Sequence, residues 1–209
     1  MARDLNPKCK KCRRIGQKLF LKGDRCNSAK CAMVKRNFPP GLHGSKGYGR
    51  LTDYGVQLKE KQKAKRIYRL MENQFKSYFT KANKSKGNTE NILIELLEMR
   101  LDNVVYRAGF TKSRDAARQL ITHNHFQVNN AKVNIPSYQL KIGDIISIVK
   151  KDEKNKAFTN IKENLKKTES ISWLAVDTNE LTIKIVDKPE QEATKTEFDP
   201  KLIIEYYSK

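Results

Sequence analysis

Histidine is scarce, at 3 residues in 209, and tryptophan occurs once. No Gly-rich phosphate loop followed by Lys-Ser or Lys-Thr is present. No Gly-x-Ser-x-Gly nucleophile motif occurs either. His123 and His125 flank Asn124 at an expected helix end, where capping, packing or RNA contact are the readings open to them. No nucleophile–base pair can be assigned, so an enzyme is not expected. No apolar run is long enough to span a bilayer, and no apolar signal region opens the chain, which argues against secretion. There is no long-period internal repeat. Acid is in short supply as well: Asp and Glu total 23 against 43 Lys and Arg, a formal net charge of +20. Such an excess would bind a polyanion and would strain a self-contained enzyme. Composition alone does not separate RNA from DNA, or either from an anionic membrane. The 38% of hydrophobic residues suffice for small cores wrapped in charge, and the length allows one or two compact domains.

All four cysteines fall within the first 31 residues, as Cys9-x2-Cys12-x13-Cys26-x4-Cys31. Two close pairs separated by a loop can bring four thiolates to one tetrahedral centre. Lys8, Lys10, Lys11, Arg13 and Arg14 favour the thiolate form, and the segment has too few apolar residues to fold without a staple. Disulfides are not expected in an intracellular protein. Unrelated free thiols and an iron–sulfur cluster, which also takes four cysteines, are the alternatives. The expectation is a structural Zn²⁺ with all four positions filled by protein.

Lys35 to Arg50 is a Gly- and Pro-rich basic connector that excludes a regular helix. Thr52 or Asp53 caps a helix expected to run to about Glu72. Within it only Glu60 offsets Lys59, Lys61, Lys63, Lys65, Arg66 and Arg69. A charge run on a helix is usually a solvated face, but this one would repel itself without a polyanion, which favours phosphate contact. A further helix carries Phe75, Tyr78, Phe79 and Ala82 on one stripe, a core face. After polar Lys84–Asn88 comes the central stretch. A helix is expected from Glu98 to Arg107, with Leu97, Leu101, Val104 and Val105 forming its apolar face. A second helix starts at the N-cap Ser113. Ala116, Ala117, Leu120 and Ile121 form its apolar stripe, while Arg114 and Arg118 share a face one turn apart. Arg107 and Lys112 flank the connection, so the four cations are expected to make one basic surface. A hairpin follows, Phe126–Val128 and Ala131–Val133, turned at Asn129-Asn130, and then a strand, Ile145–Val149. A thin amphipathic helix marked by Phe158, Ile161 and Leu165 is expected within Asp152–Ser170. Strands Ile171–Val176 and Leu181–Val186 come next. The tail from Asp187 is mildly acidic, and its apolar Leu202–Tyr207 run needs cover from the earlier helices.

Arg100-Leu-Asp-Asn-Val-Val-Tyr-Arg107, Ser113-Arg-x-x-Ala-Arg118-Gln-Leu and Val133-Asn-Ile-Pro-Ser-Tyr138 resemble the core of the ribosomal protein S-four family. Phe38-Pro-Pro-Gly-Leu-His-Gly44, the run from Asp53 to Lys63 and the closing Ile203–Lys209 are similar to its bacterial type, so the resemblance covers nearly the whole chain. It implies an α+β protein in three parts. These are a zinc-binding N-terminal segment with a basic connector (1–45), a helical domain (46–90, completed by 187–209), and an inserted α/β RNA-binding domain (91–186). The last is an alpha-L-type RNA-binding motif with a small antiparallel sheet. The resemblance also implies a structural, non-enzymatic role in the cytoplasm, in the bacterial small ribosomal subunit. It implies binding to the 5′ domain of 16S rRNA early in subunit assembly, contact with ribosomal protein S-five and other small-subunit proteins, a place beside the messenger RNA channel, and an influence on decoding accuracy. Many bacterial relatives carry paired cysteines that bind zinc, which agrees with the reading of Cys9, Cys12, Cys26 and Cys31. Candidate RNA contacts are Arg13, Arg14, Lys35, Arg36, Lys46, Arg50, Lys59, Lys61, Lys63, Lys65, Arg66, Arg69, Arg100, Arg107, Lys112, Arg114, Arg118, His123 and His125. The Lys46-Gly-Tyr-Gly49 stretch departs from the denser arginine cluster of the family. The alternatives are a free-standing RNA-binding or RNA-modification accessory protein using the same module, and a DNA-binding module.

Overall fold

A computed structural model of the chain describes residues 4–149, 165, 171–189 and 197–208. Most of the helix expected around Phe158 and Ile161 lies outside the described residues; Leu165 is buried. Chain packing divides the protein into two units, Met1–Leu93 with Thr196–Lys209, and Ile94–Lys195.

The first unit begins with α1 (Lys8–Ile15), closed at Gly16, whose φ of +84° suits glycine and whose N–H returns to Cys12 O. Two short turns follow, α2 (Asp24–Asn27) and α3 (Ala32–Lys35). The Pro-rich connector folds back on itself so closely that a side chain at Gly44 would meet Pro39 O at 1.9 Å. Helix α4 (Asp53–Ile67) is capped by Thr52, whose hydroxyl accepts from Gly55 N. It stops five residues short of the expected Glu72. Arg69 turns into the left-handed region at φ +58°, and the chain re-enters helix as α5 (Glu72–Lys84).

The closing helix of this unit, Pro200–Ser208, lies along α4. Ile203 is fully buried there. Tyr207 stacks on Phe79 at 4.7 Å between ring centres, and Phe198 meets Tyr68 edge-on. Glu72 accepts from Lys61 and Lys65, each at 2.7 Å, and from the Tyr207 hydroxyl at 2.9 Å. Burial works against its charge. The two ammonium groups and the phenol outweigh that and hold its carboxyl down at about 2.

In the second unit the helix expected from Glu98 to Arg107 begins only at Leu101, and Glu98 instead ends a preceding helix that was not expected from the sequence. Helix α6 (Thr89–Glu98), which enters from the first unit, ends before Met99, and α7 spans Leu101–Arg107. The break has a visible cause. A loop carrying Pro136 to Leu140 takes the backbone groups that a continuous helix would use for itself: Leu101 N donates to Tyr138 O, Asp102 N to Pro136 O, and Leu140 N to Met99 O. Helix α8 (Arg114–Thr122) starts at Ser113, whose hydroxyl accepts from Ala116 N. Asn124, at φ +62°, turns the chain out of it.

Five antiparallel strands follow: β1 (Phe126–Val128), β2 (Ala131–Lys132), β3 (Ile145–Ile148), β4 (Leu174–Asp177) and β5 (Thr182–Ile185), in the order β2-β1-β3-β5-β4. Asn129 and Asn130 both hold positive φ in the β1–β2 turn, and Asn129 reaches Asp144 and Ile145 to fix the start of β3. Phe126, Ile146, Ile183 and Ile185 point from the sheet into one core with Val104, Val105, Ala117 and Ile121 of the helices. The sheet thereby backs α7 and α8, which carry the candidate contacts of this unit.

Candidate nucleic-acid interface

The α6–α7 break places two carboxylates inside the second unit. Glu98 is fully buried. It accepts from Arg107 through both oxygens, at 2.8 and 3.1 Å, and from Asn103 Nδ2 at 2.7 Å. Asn103 passes the connection on, since its Oδ1 accepts from Arg114 Nε at 2.8 Å. The Arg114 guanidinium lies 4.5 Å above the Tyr106 ring. Asp102 is the second acid. Arg100 grips it with two bonds, at 3.0 and 2.6 Å, and Arg118 Nη1 stands 3.5 Å away.

The four cations expected on one surface are therefore sorted by depth. Lys112 is exposed, while Arg107 and Arg114 are half-buried. Arg118 is only 4% exposed, which corrects the expectation that it shares one basic surface with the other three: it turns toward Asp102. Arg100 is deeper still, at 1%. His123 is exposed and His125 half-buried, their rings 6.1 Å apart.

The first unit shows the same sorting. Glu60 is not the only acid answering α4. Lys61 is 3% exposed and pairs with Glu72, as does Lys65; Lys63, at 6%, pairs with Glu60 at 2.8 Å. The reason is tertiary, since the break at Arg69 brings Glu72 back beside α4, where Tyr207 of the closing helix also bonds it. Lys61 also faces the Tyr206 ring at 4.8 Å. Arg69 is buried, Arg66 half-buried, and Lys59 lies over Tyr48 at 5.6 Å. Arg13 braces the connector, donating to Phe38 O and Pro39 O. Arg14, Lys35, Arg36, Lys46 and Arg50 are exposed.

Sequence reasoning passed over Glu98, Asp102 and Asn103 as positioning groups. Asp102 and Asn103 lie in the quoted Arg100–Arg107 motif, and Glu98 two residues before it. A continuous helix would have spread them along one cylinder, and only the break turns them inward onto the arginines.

The four cysteines line one pocket, with Leu21, Lys22 and Met33 among its other walls. Cys12, Cys26 and Cys31 are buried and Cys9 is half-buried. Lys22 N donates to Cys26 Sγ at 3.3 Å. Burial pushes the Cys12 thiol up; a backbone bond from Leu19 pulls the other way, and the remaining three cysteines add to the rise. Four thiols are donors of the kind that zinc takes. Among the described residues, however, no group of three or more His, Cys, Asp or Glu side chains is set to hold a metal ion, so the pocket brings the cysteines near one another without forming a coordination shell.

Comparison with known proteins accounts for the whole chain. Residues 3–98 match the family described as ribosomal protein S4/S9 N-terminal domain, and residues 99–146 match the S4 domain. The chain is 46% identical to the small ribosomal subunit protein uS4 of Heliobacterium modesticaldum over 209 residues, all of both chains. It is 49% identical to the uS4A protein of Alkaliphilus metalliredigens, again over all of both chains. Identity to the uS4 protein of Thermodesulfovibrio yellowstonii is 50% over 212 aligned positions, with both chains fully covered.

The depth sorting predicts unequal costs. Asp102→Ala strands buried Arg100 and Arg118 and should cost about 3–5 kcal/mol of stability in denaturant unfolding. Lys112→Ala should cost no more than about 0.5 kcal/mol. A loss under about 1 kcal/mol for Asp102→Ala would show that the arginines find water instead.

Proposed function

The chain belongs to the uS4 family of small ribosomal subunit proteins, and from that premise we propose that it binds the 5′ domain of 16S rRNA early in subunit assembly. Family membership makes it a structural protein of the small subunit, not an enzyme. The observation that carries the RNA reading is the set of cations exposed at the surface. Arg14, Lys35, Arg36, Lys46, Arg50 and Lys112 are exposed in a chain of net charge +20, and exposed cations in excess are what phosphates neutralise. Arg107 and Arg114 add forks already oriented by Glu98 and Asn103, so little side-chain freedom is lost on contact. In this reading Arg100, Arg118, Lys61 and Lys63 serve the interface from inside, by holding its helices.

The finer roles belong to the same proposal: contact with ribosomal protein S-five and neighbouring subunit proteins, a position beside the messenger RNA channel, an influence on decoding accuracy, and residence in the bacterial cytoplasm. Exposed Lys46 and Arg50 are the residues proposed for the messenger RNA side. Cys9, Cys12, Cys26 and Cys31 are proposed to hold one structural Zn²⁺, which would supply the staple that the sparse N-terminal core lacks.

Two measurements test this reading. Affinity for 16S rRNA should fall steeply with salt. Lys112→Ala should lower the log–log slope by about 1 with unfolding little changed, and adding Arg114→Ala should lower it by about 1 more while costing about 1–3 kcal/mol of stability, because buried Asn103 loses its donor. An unchanged slope would remove both residues from the interface, and equal affinity for duplex DNA would remove the rRNA assignment. Elemental analysis of the purified chain should give about one zinc. Iron with visible absorbance would put a cluster in its place, and an ordered metal-free N-terminal segment would leave four free thiols.

A further inference from the structure

Cations converge where α1 packs on α4. Lys11 is buried on α1, and its Nζ pairs with Asp4 Oδ2. Buried Arg69 donates Nη2 to the backbone oxygen of Asp4 at 2.7 Å. Arg66, on the last turn of α4, is half-buried within electrostatic reach of the Asp4 carboxylate, with Arg14 adding like charge. Asp4 is thus the acid that Lys11 and Arg66 share, and it also meets Arg69.

Three features distinguish this cluster from a simple ion pair. Positive charge exceeds the one carboxylate that Lys11 and Arg66 share. Arg69 keeps a left-handed backbone, φ +58°, a conformation disfavoured for a residue with a Cβ. The side chain placed there at that cost is a guanidinium aimed at Asp4, and strain of this kind gathers at functional positions. Lastly, Asp4 rides on an arm with no buried apolar side chain among the described residues: Leu5 is 78% exposed, and Asn6 and Pro7 are exposed too. Asn6 N bonds back to Asp4 Oδ1 at 2.9 Å, so part of what holds the arm is its own turn. The cations are built into two packed helices and their junction, whereas the anion is carried on the exposed arm before α1.

We propose that Lys11, Arg66 and Arg69 form a pocket for a backbone phosphate of RNA, which Asp4 of the chain's own N-terminal arm fills in the free protein and vacates on binding. The carboxylate offers two oxygens to donors that a phosphodiester satisfies equally well. Lys11 brings three N–H donors and each arginine five, so the pocket accepts either anion. The arm acts as an internal competitor. It keeps the buried cations neutralised before RNA arrives and raises the threshold for non-specific polyanions. This rests on the reading of the chain as an rRNA binder, and its test separates the two.

The test uses the full-length chain, Asp4→Asn, and the double variant Asp4→Asn with Lys11→Gln. Binding to purified 16S rRNA is measured across salt, and thermal unfolding is followed with and without inorganic phosphate. Removing the competitor should tighten binding at low salt and leave the log–log salt slope as it is, since the same phosphate is contacted once Asp4 has left. The double variant, short of one phosphate partner, should lower the slope by about 1. Phosphate should raise the unfolding temperature of Asp4→Asn more than that of the unaltered chain. A slope unchanged in the double variant, together with an unchanged phosphate response, overturns the pocket, as does weaker RNA binding by Asp4→Asn, which would make Asp4 a fixed staple. If the unaltered chain fails to bind 16S rRNA, the functional reading fails, and the phosphate response alone then decides the pocket.

Discussion

The carboxylate of Asp102, sunk between Arg100 and Arg118, is the contact on which the second unit depends. A buried charge is tolerated only when it is paired and hydrogen-bonded. Asp102 meets that condition by fixing three elements at once: the break that frees Arg100, the start of α7, and the face that α8 presents. Glu98 repeats the arrangement one step away, with Asn103 carrying its hold on to Arg114. The sheet behind these helices supplies the apolar burial. The two acids decide which way the helices turn their charge.

This constraint changes what a basic composition means. A net charge of +20 invites the view that every lysine and arginine waits for phosphate. Within each unit, however, internal acids claim a share of the cations. Lys61 and Lys65 are drawn to Glu72, Lys63 to Glu60, Arg100 and Arg118 to Asp102. Those cations make the scaffold. The exposed set, Lys112 in one unit and Arg14, Lys35, Arg36, Lys46 and Arg50 in the other, lies at the surface and costs little to bring against RNA. Half-buried Arg107 and Arg114 lie between the two classes, each anchored by an internal polar group.

Local signals in the sequence were readable where the chemistry is local. Ser113 and Thr52 cap the helices that the residue pattern placed after them, and the Asn129-Asn130 turn has the positive φ that asparagine tolerates. The stripe of Ala117 and Ile121 and that of Phe75, Phe79 and Ala82 are core faces. Two helix ends were misjudged, and neither Met99-Arg100 nor Tyr68-Arg69 contains a glycine or proline to mark the break. At the first, the carbonyls of residues 136 and 138 take the amides from a distance. The second is closed locally, by Leu70 N to Lys65 O and Arg69 N to Arg66 O, with Arg69 in the left-handed place usually given to glycine. The burial of Lys61 and Arg118 was hidden because their acids become neighbours only once those breaks exist.

Residue-resolved chemical modification of lysine and arginine, in the free chain and in its complex with 16S rRNA, tests the sorting of cations most directly. The account predicts that Lys61, Lys63, Arg100 and Arg118 resist modification in both states, while Lys112 and Arg114 react in the free chain and are protected by RNA. Ready modification of Lys61 or Arg118 in the free chain, followed by protection on RNA binding, would contradict it and return those residues to the interface.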